Sequence, residues 1–311
     1  MTTTVSADSA KQALLAHLID DASMFPPSEL PIGAAVRAHL RHRESAYAWI
    51  GGNLVVPASR LDAFVAAMQP GETVRLSVTL DAAQRAKGDT VRADLDRIAR
   101  SGVDVGSVAA LEIRFRGALE AEALSGAAAA VAAAFPLQPA TLYVELPYVG
   151  GWAVPPDAAL AVLAGLRSNS PGSVTVAAKV RCGGSPETTP SVDDLAAFVV
   201  AAQAQGVPWK ATAGLHHPVR GAHGGTTMHG FLNLFIAGVA HHAGFLDAAR
   251  VADAIGEEDP RGFLVDPMHV GWRDVRVDAE AVAAARAHCT AFGSCSFDEP
   301  VNGLRELGLL L

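Results

Sequence analysis

Five apolar segments in the middle of the chain carry charged or polar side chains at every second position, and this alternation restricts the fold sharply. Successive side chains of a β-strand point to opposite faces. Val74, Leu76, Val78 and Leu80 share one face, and Arg75, Ser77, Thr79 and Asp81 the other. Leu111, Ile113 and Phe115 oppose Glu112 and Arg114, while Leu142, Val144 and Leu146 oppose Thr141, Tyr143 and Glu145. Val174, Val176, Ala178 and Val180 oppose Thr175, Ala177, Lys179 and Arg181. Trp209, Ala211 and Ala213 oppose Lys210 and Thr212. One face of each strand therefore seeks an apolar neighbour, and the other brings charges together.

These segments belong to a longer series of strand-like runs. Asn53–Val56, Val74–Leu80, Ala109–Phe115, Thr141–Leu146, Val174–Arg181, Pro208–Ala213, Gly262–Asp266 and Ala291–Phe297 make eight. Ala-rich helical patterns separate them, among them Ser59–Met68, Thr90–Ser101, Leu119–Ala134, Asp157–Leu166 and Val192–Gln205. His229–His242, Phe245–Ile255, Asp278–Cys289 and Val301–Leu307 follow. Alternating strands and helices imply parallel pairing with crossover helices. Eight such units predict closure into a (β/α)8 TIM-type barrel, an α/β fold that commonly needs about 250 residues. With 311 residues, 50% of them apolar, the chain has material for that core. The expected division is a lead-in over 1–45, with a helix from Asp8 to Asp20, and a barrel over 46–311. An open doubly wound sheet is the alternative, and the lack of a GxGxxG fingerprint after the first strand weighs against its dinucleotide-binding form. In a barrel the apolar faces meet the helices, so Glu112, Arg114, Glu145, Lys179, Arg181 and Lys210 point inward. Buried charges are costly unless they pair or meet a ligand.

The formal net charge of −8, without a Lys/Arg cluster, argues against nucleic acid and anionic membranes as partners. The amino-terminal residues lack the pattern of a secretory signal, and no apolar run reaches the roughly 20 residues that span a bilayer. Cys182, Cys289 and Cys295 form no CxxC pair. A reducing cytoplasm is the expected location. A homodimer is compatible with the fold, though no surface pattern points to one.

In this architecture the carboxyl ends of the strands hold the site. Lys179 and Arg181 lie one pleat apart, with Lys210 on the next strand. Crowded cations lower a lysine pKa, which would leave a neutral amine able to attack a carbonyl. Glu112 and Glu145 would move protons, and Arg114 and Arg181 would hold a carboxylate or phosphate. A buried ion-pair network that merely holds the barrel together is the plainer reading of the same residues.

The densest motif runs from Lys210 through Thr212, His216, His217, Arg220, His223 and His229. His216 is a candidate acid/base group, with His217, Arg220 and Thr212 as substrate contacts. His216, His217, His223 and Glu145 form an alternative set for a divalent metal, although neither HExxH nor HxH is present. Gly224-Gly225-Thr226-Thr227, before an expected Met228–His242 helix, would offer amides to an anion, as would Gly183-Gly184-Ser185. Ordinary turns explain both glycine pairs equally well. Ser294, near the last strand, is a candidate phosphate contact. Cys295 and Cys182 end strands, and either would need a neighbouring base to act as a nucleophile. His269 and Trp272 would line the mouth of the site, and His241 and His242 would cap a helix. The segment Asp20–Pro27 would plug the barrel bottom or fold over a neighbour.

Two resemblances attach to these motifs. Ile19–Leu61 (IDDASMFPPSELP to WIGGNLVVPASRL), KATAGLHHPVR with MHGFLNL, and FGSCSFDEPVNGLRELG resemble a bacterial family of uncharacterised proteins. That likeness covers most of the chain and implies no activity. Lys210-Ala-Thr-Ala-Gly-Leu215 is also similar to the strand-end motif of class I aldolases of the deoxyribose-phosphate type. It implies a Schiff-base role for Lys210. Lys179 does not fall where that family carries its second lysine, and His216-His217-Pro218 is foreign to it. Three functions follow as expectations: a lysine-dependent lyase or aldolase acting without a cofactor on a small anionic carbonyl compound; a metal-dependent hydrolase, isomerase or lyase; and a non-catalytic small-molecule-binding barrel.

Overall fold

The computed structural model describes residues 9–81, 89–114, 120–135, 140–169 and 174–311. Thirteen strands are formed among them: β1 Ile19–Asp21, β2 Gly51–Pro57, β3 Leu76–Thr79, β4 Val108–Arg114, β5 Ala140–Glu145, β6 Val174–Arg181, β7 Trp209–Thr212, β8 Gly221–His223, β9 Thr226–Met228, β10 Phe263–Val265, β11 His269–Trp272, β12 Val277–Asp278 and β13 Cys289–Ser294. Eleven helices accompany them: α1 Ala10–Leu15, α2 Ile32–Arg43, α3 Leu61–Ala67, α4 Asp89–Arg100, α5 Ala121–Ala134, α6 Pro156–Asn169, α7 Val192–Ala204, α8 Phe231–His242, α9 Ala248–Gly256, α10 Ala279–Arg286 and α11 Asp298–Glu306. Eight strands close into a parallel barrel in the order β1-β13-β7-β6-β5-β4-β3-β2. The chain is a single-domain (β/α)8 barrel with a leading helix.

The number eight is right, but its membership differs from the sequence expectation. Ile19–Asp21, expected inside a helix running to Asp20, is the first barrel strand; it pairs with β13 and β2. The helix stops at Leu15, and His17 takes a positive φ of 52° that turns the chain into the strand. The barrel thus begins at residue 19 and not at 46. Gly262–Asp266, expected as the seventh barrel strand, instead supplies β10 of a separate antiparallel sheet with β11 and β12. Through β11 and β12 that sheet packs on α1, α8 and α10 rather than on barrel neighbours. Asp8, Phe115 and Leu119 lie outside the described residues.

Side-chain parity holds along the described strands; Ala213, expected on the apolar face, takes a φ of 59° after β7 and lines the inner cavity with Thr212. Leu111, Ile113, Leu142, Val144, Val176, Ala178, Val180, Trp209 and Ala211 join the large apolar cluster between barrel and helices. Trp209 meets Phe198 at 5.8 Å and Phe235 at 5.3 Å, ring centre to ring centre. Inside, Ala110, Tyr143 and Ala177 form a separate small cluster. Tyr143 places its ring 5.3 Å from Lys210 Nζ. Its hydroxyl lies 2.9 Å from that of Thr290. Below them the Arg286 guanidinium donates to the carbonyls of Thr290 and Ala16, tying β13 to the entry of β1. Burial lowers its pKa to about 10. Among the described residues no helix is long and apolar enough to cross a membrane.

At the carboxyl ends of β6 and β7 the backbones approach closely. Gly214 has φ of +72°, and a Cβ placed on it would come within 2.6 Å of Gly183 Cα. Gly214→Ala therefore adds a left-handed alanine to a steric clash, and we expect it to cost about 2 kcal/mol or more. Urea unfolding followed by circular dichroism measures it; an unchanged midpoint would refute this account of the approach.

Candidate active site

The carboxyl ends of the barrel strands surround a cavity of about 700 Å³. Its floor is a chain of charges of alternating sign. Asp20 Oδ2 lies 2.6 Å from Lys210 Nζ, which is 2.7 Å from Glu112 Oε1. Glu112 Oε2 is 2.9 Å from Lys179 Nζ, and Lys179 is 2.8 Å from Glu145 Oε2. Glu145 Oε1 meets Arg114 at 3.2 Å and Arg181 at 3.4 Å. Adjacent strands in register produce this order directly: Arg114 sits opposite Glu145, Glu145 opposite Lys179, and Lys179 opposite Lys210. Asp20 enters from β1 and also accepts the Asn53 amide at 2.7 Å. Ser77 donates to Glu112 at 2.6 Å.

Charge order reverses the expected lysine chemistry. Burial alone would lower the Lys210 pKa, but Asp20 and Glu112 outweigh it and hold the ammonium well above the ordinary value. Burial of Lys179 is likewise outweighed by Glu112 and Glu145, and its pKa is raised. Burial would raise the carboxyls, yet the two lysines hold Glu112, and Lys179 with Arg181 holds Glu145, below the usual carboxylate range. The two lysines do not repel each other into a neutral amine, because a carboxylate stands between them. Four cations face three carboxylates in this chain of contacts. The excess positive charge lies at the rim, where the Arg114 and Arg181 side chains are 38% and 25% exposed against 1% for Lys210.

Lys210, Lys179, Glu112, Glu145, Arg114, Arg181, Thr212 and His216 all border the cavity. Other expected contacts do not. Arg220 is bound to Glu258, and its amide donates to Asn233 Oδ1 at 2.9 Å, which fixes the start of α8. His217 stacks on His223 with ring centres 3.4 Å apart. Ser294 Oγ donates to Ser296 O at 2.6 Å and closes a local turn. His229 is buried against Pro190 O at 2.8 Å. The metal set of His216, His217, His223 and Glu145 is not assembled, since Glu145 is held by three cations. Among the described residues no group of three His, Cys, Asp or Glu is placed to hold a metal.

Gly224 and Gly225, expected before a helix, form the two-residue turn of the β8–β9 hairpin with φ of 59° and 83°. Positive φ at both central residues matches the twist of a hairpin. The helix begins at Phe231, so this glycine pair does not stand at its amino terminus. His269 and Trp272 belong to the outer sheet and do not line the cavity. His241 lies 2.8 Å from Leu246 O beyond the end of α8, and His242 pairs with Gln203 of α7, so neither caps the helix's own last carbonyls. The Asp20–Pro27 segment leaves the carboxyl end of β1, so Phe25, Pro26 and Pro27 wall the cavity and do not plug the bottom.

Sequence reasoning missed Asp20 as the lysine partner, because three strand residues hidden behind a helical pattern carry no period of their own. It also left open whether a histidine reaches Cys295; His216 Nδ1 lies 3.9 Å from its Sγ. Cys182 is buried and its thiol is pushed up to about 12. In comparisons with known proteins, no family model, characterised sequence or solved structure matches this chain.

Glu112 bridges both lysines, so Glu112→Gln leaves each buried ammonium with one carboxylate in place of two, Asp20 for Lys210 and Glu145 for Lys179, and is expected to cost about 2–3 kcal/mol. An equilibrium unfolding loss under 1 kcal/mol would disprove the bridging role. The pH dependence follows from the signs. Depressed carboxyls contribute stability above their unfolded pKa of about 4.3, and raised lysines contribute it below about 10.4. The gap between wild type and Glu112→Gln should stay constant from about pH 5 to 9 and shrink as the pH falls below about 4. A gap that widens in acid would contradict this charge assignment.

Proposed function

We propose that this barrel is an enzyme of lyase or aldolase type acting on a small anionic carbonyl compound. The observation that carries the reading is the excess positive charge at the exposed rim above a fully paired floor. Arg114 and Arg181 hold the anionic end, since a guanidinium pairs with planar carboxylate or phosphate oxygens. The ammonium groups of Lys210 and Lys179 lie deeper, where they stabilise negative charge that develops on a carbonyl oxygen. In this form they act as hydrogen-bond donors and electrostatic clamps. Glu112 and Glu145 keep them charged. His216, beside the cavity, is a further acid/base group, and Thr212 contacts substrate.

A Schiff-base role for Lys210 is the second reading, supported by Asp20 and Glu112 within 2.7 Å as acceptors for the proton the amine must lose. Raised lysine pKa values oppose it in the resting site.

Oxalate, a planar dianion resembling the enolate of an α-oxo acid, is the direct probe. We expect it to raise Tm by several degrees at millimolar concentration and to lose this effect in Arg181→Gln. No shift with wild type would sink the anionic-substrate reading. Borohydride treatment with a panel of small oxo acids and sugar phosphates should leave Lys210 unmodified by mass spectrometry. A reduced adduct on Lys210 would restore the Schiff base in place of the ammonium clamp.

A further inference from the structure

A second reactive group borders the cavity. Cys295 immediately follows β13, and His216 follows β7, the neighbouring barrel strand. Their contact of 3.9 Å is long but lies within reach for a sulfur partner, and such contacts often tighten once ligand is bound. Glu299 Oε2, on α11, stands 2.7 Å from the same His216 Nδ1. Cys295 and Glu299 together raise the His216 pKa. Burial would raise the Cys295 thiol, but His216 and Ser28 outweigh it and hold it below the ordinary value. Cys182 and Cys289 are the contrast: both are fully buried and pushed up to about 12.

Cys295 lines the same cavity as the cationic rim. Counting round the eight strands, β13 and β4 are four steps apart in either direction, so Cys295 and Arg114 sit on opposite walls. Thr79, at the end of β3, supplies an independent sign of a ligand. It is 7% exposed and lines the same cavity, and its Oγ1 has no hydrogen-bond partner among the described residues. A buried hydroxyl without a partner is costly, and a bound polar group removes that cost.

We propose that Cys295, paired with His216, is a nucleophile toward the electrophilic carbon of a small anionic ligand whose charge Arg114 and Arg181 hold and whose polar substituent meets Thr79. The ligand class rests on the anion-binding reading above; the nucleophile does not. With a carbonyl ligand the sulfur forms a C–S bond, and the carbonyl π pair moves to oxygen. That oxygen takes the proton from the His216 imidazolium, giving a hemithioacetal that reverses by the same path. With an α-halo acid the sulfur displaces halide, which leaves with its electron pair.

Two alkylating probes separate the claims. The full chain is treated at pH 7 with neutral iodoacetamide or anionic iodoacetate, with N-acetylcysteine as the free-thiol reference and peptide mapping to locate the label. We expect iodoacetamide to label Cys295 ~10-fold or more faster than the reference, and Cys182 and Cys289 to stay unlabelled. His216→Asn should bring Cys295 down to the reference rate. The iodoacetate-to-iodoacetamide ratio should exceed that of the free thiol by ~10-fold and fall back to it in Arg114→Gln. Wild-type labelling no faster than the free thiol, or an unchanged rate in folded His216→Asn, would overturn the nucleophile. Fast iodoacetamide labelling without an iodoacetate preference would keep the nucleophile and overturn the anionic ligand class. The wild-type comparison needs no variant, so the test survives a substitution that fails to fold.

Discussion

Glu112 stands between two lysines, and the polar half of this barrel depends on that placement. Lys210 and Lys179 lie on adjacent strands directly in register, at a depth where each is more than nine-tenths buried. Two ammonium groups so placed would repel, and each would lose its hydration. One carboxylate with a separate oxygen for each, at 2.7 and 2.9 Å, turns repulsion into attraction on both sides. Asp20 and Glu145 extend the pattern outward, so each buried charge meets the opposite sign. A paired interior of this kind need not be more stable than an apolar one; its effect is to fix charge at defined points.

The strand order converts that pairing into a site with direction. Residues β4 to β7 supply the cations and their carboxylates, deepest at Lys210 and shallowest at Arg114 and Arg181. The other side has Phe25, Pro26 and Pro27 from the segment after β1, His216 after β7 and Cys295 after β13. From the open end the guanidinium groups come before the ammonium groups. Tyr143 and the small Ala110 and Ala177 close the interior beneath, and Arg286 ties the strands below them.

What the sequence could reveal follows from how each feature is encoded. Parity is a local property with a period of two, so the inward direction of Glu112, Glu145, Lys179, Arg181 and Lys210 was legible from five strands alone. The three residues of β1 are too few to show a period, and Leu14, Leu15 and Leu18 before them read as one helical face. Phe263–Val265 has the composition of a barrel strand because its antiparallel sheet also packs on helices, and composition does not distinguish the two settings. The signs of the lysine shifts were misjudged for a different reason. Cation proximity was visible on neighbouring strands, but the intervening carboxylate oxygens depend on side-chain reach across three strands, which no spacing records. The Cys295–His216 contact joins two loops after adjacent barrel strands that are 79 residues apart in the chain.

The paired floor also constrains which group in this cavity is free to react. Lys210 and Lys179 each contact two carboxylates, which hold both ammonium groups above the ordinary lysine value and so oppose a neutral amine at either position. At Cys295 burial is outweighed: contact with Cys295 and Glu299 raises the His216 pKa, and His216 with Ser28 lowers that of the thiol, so both shifts favour thiolate beside imidazolium. Nucleophilicity therefore concentrates on the β13 side and electrostatic stabilisation on the β4–β7 side, with the ligand space between them. A carbonyl compound placed there would present its carbon to sulfur, its oxygen to the His216 imidazolium and its anionic end to the guanidinium groups, an arrangement that leaves the charges of the paired floor in place.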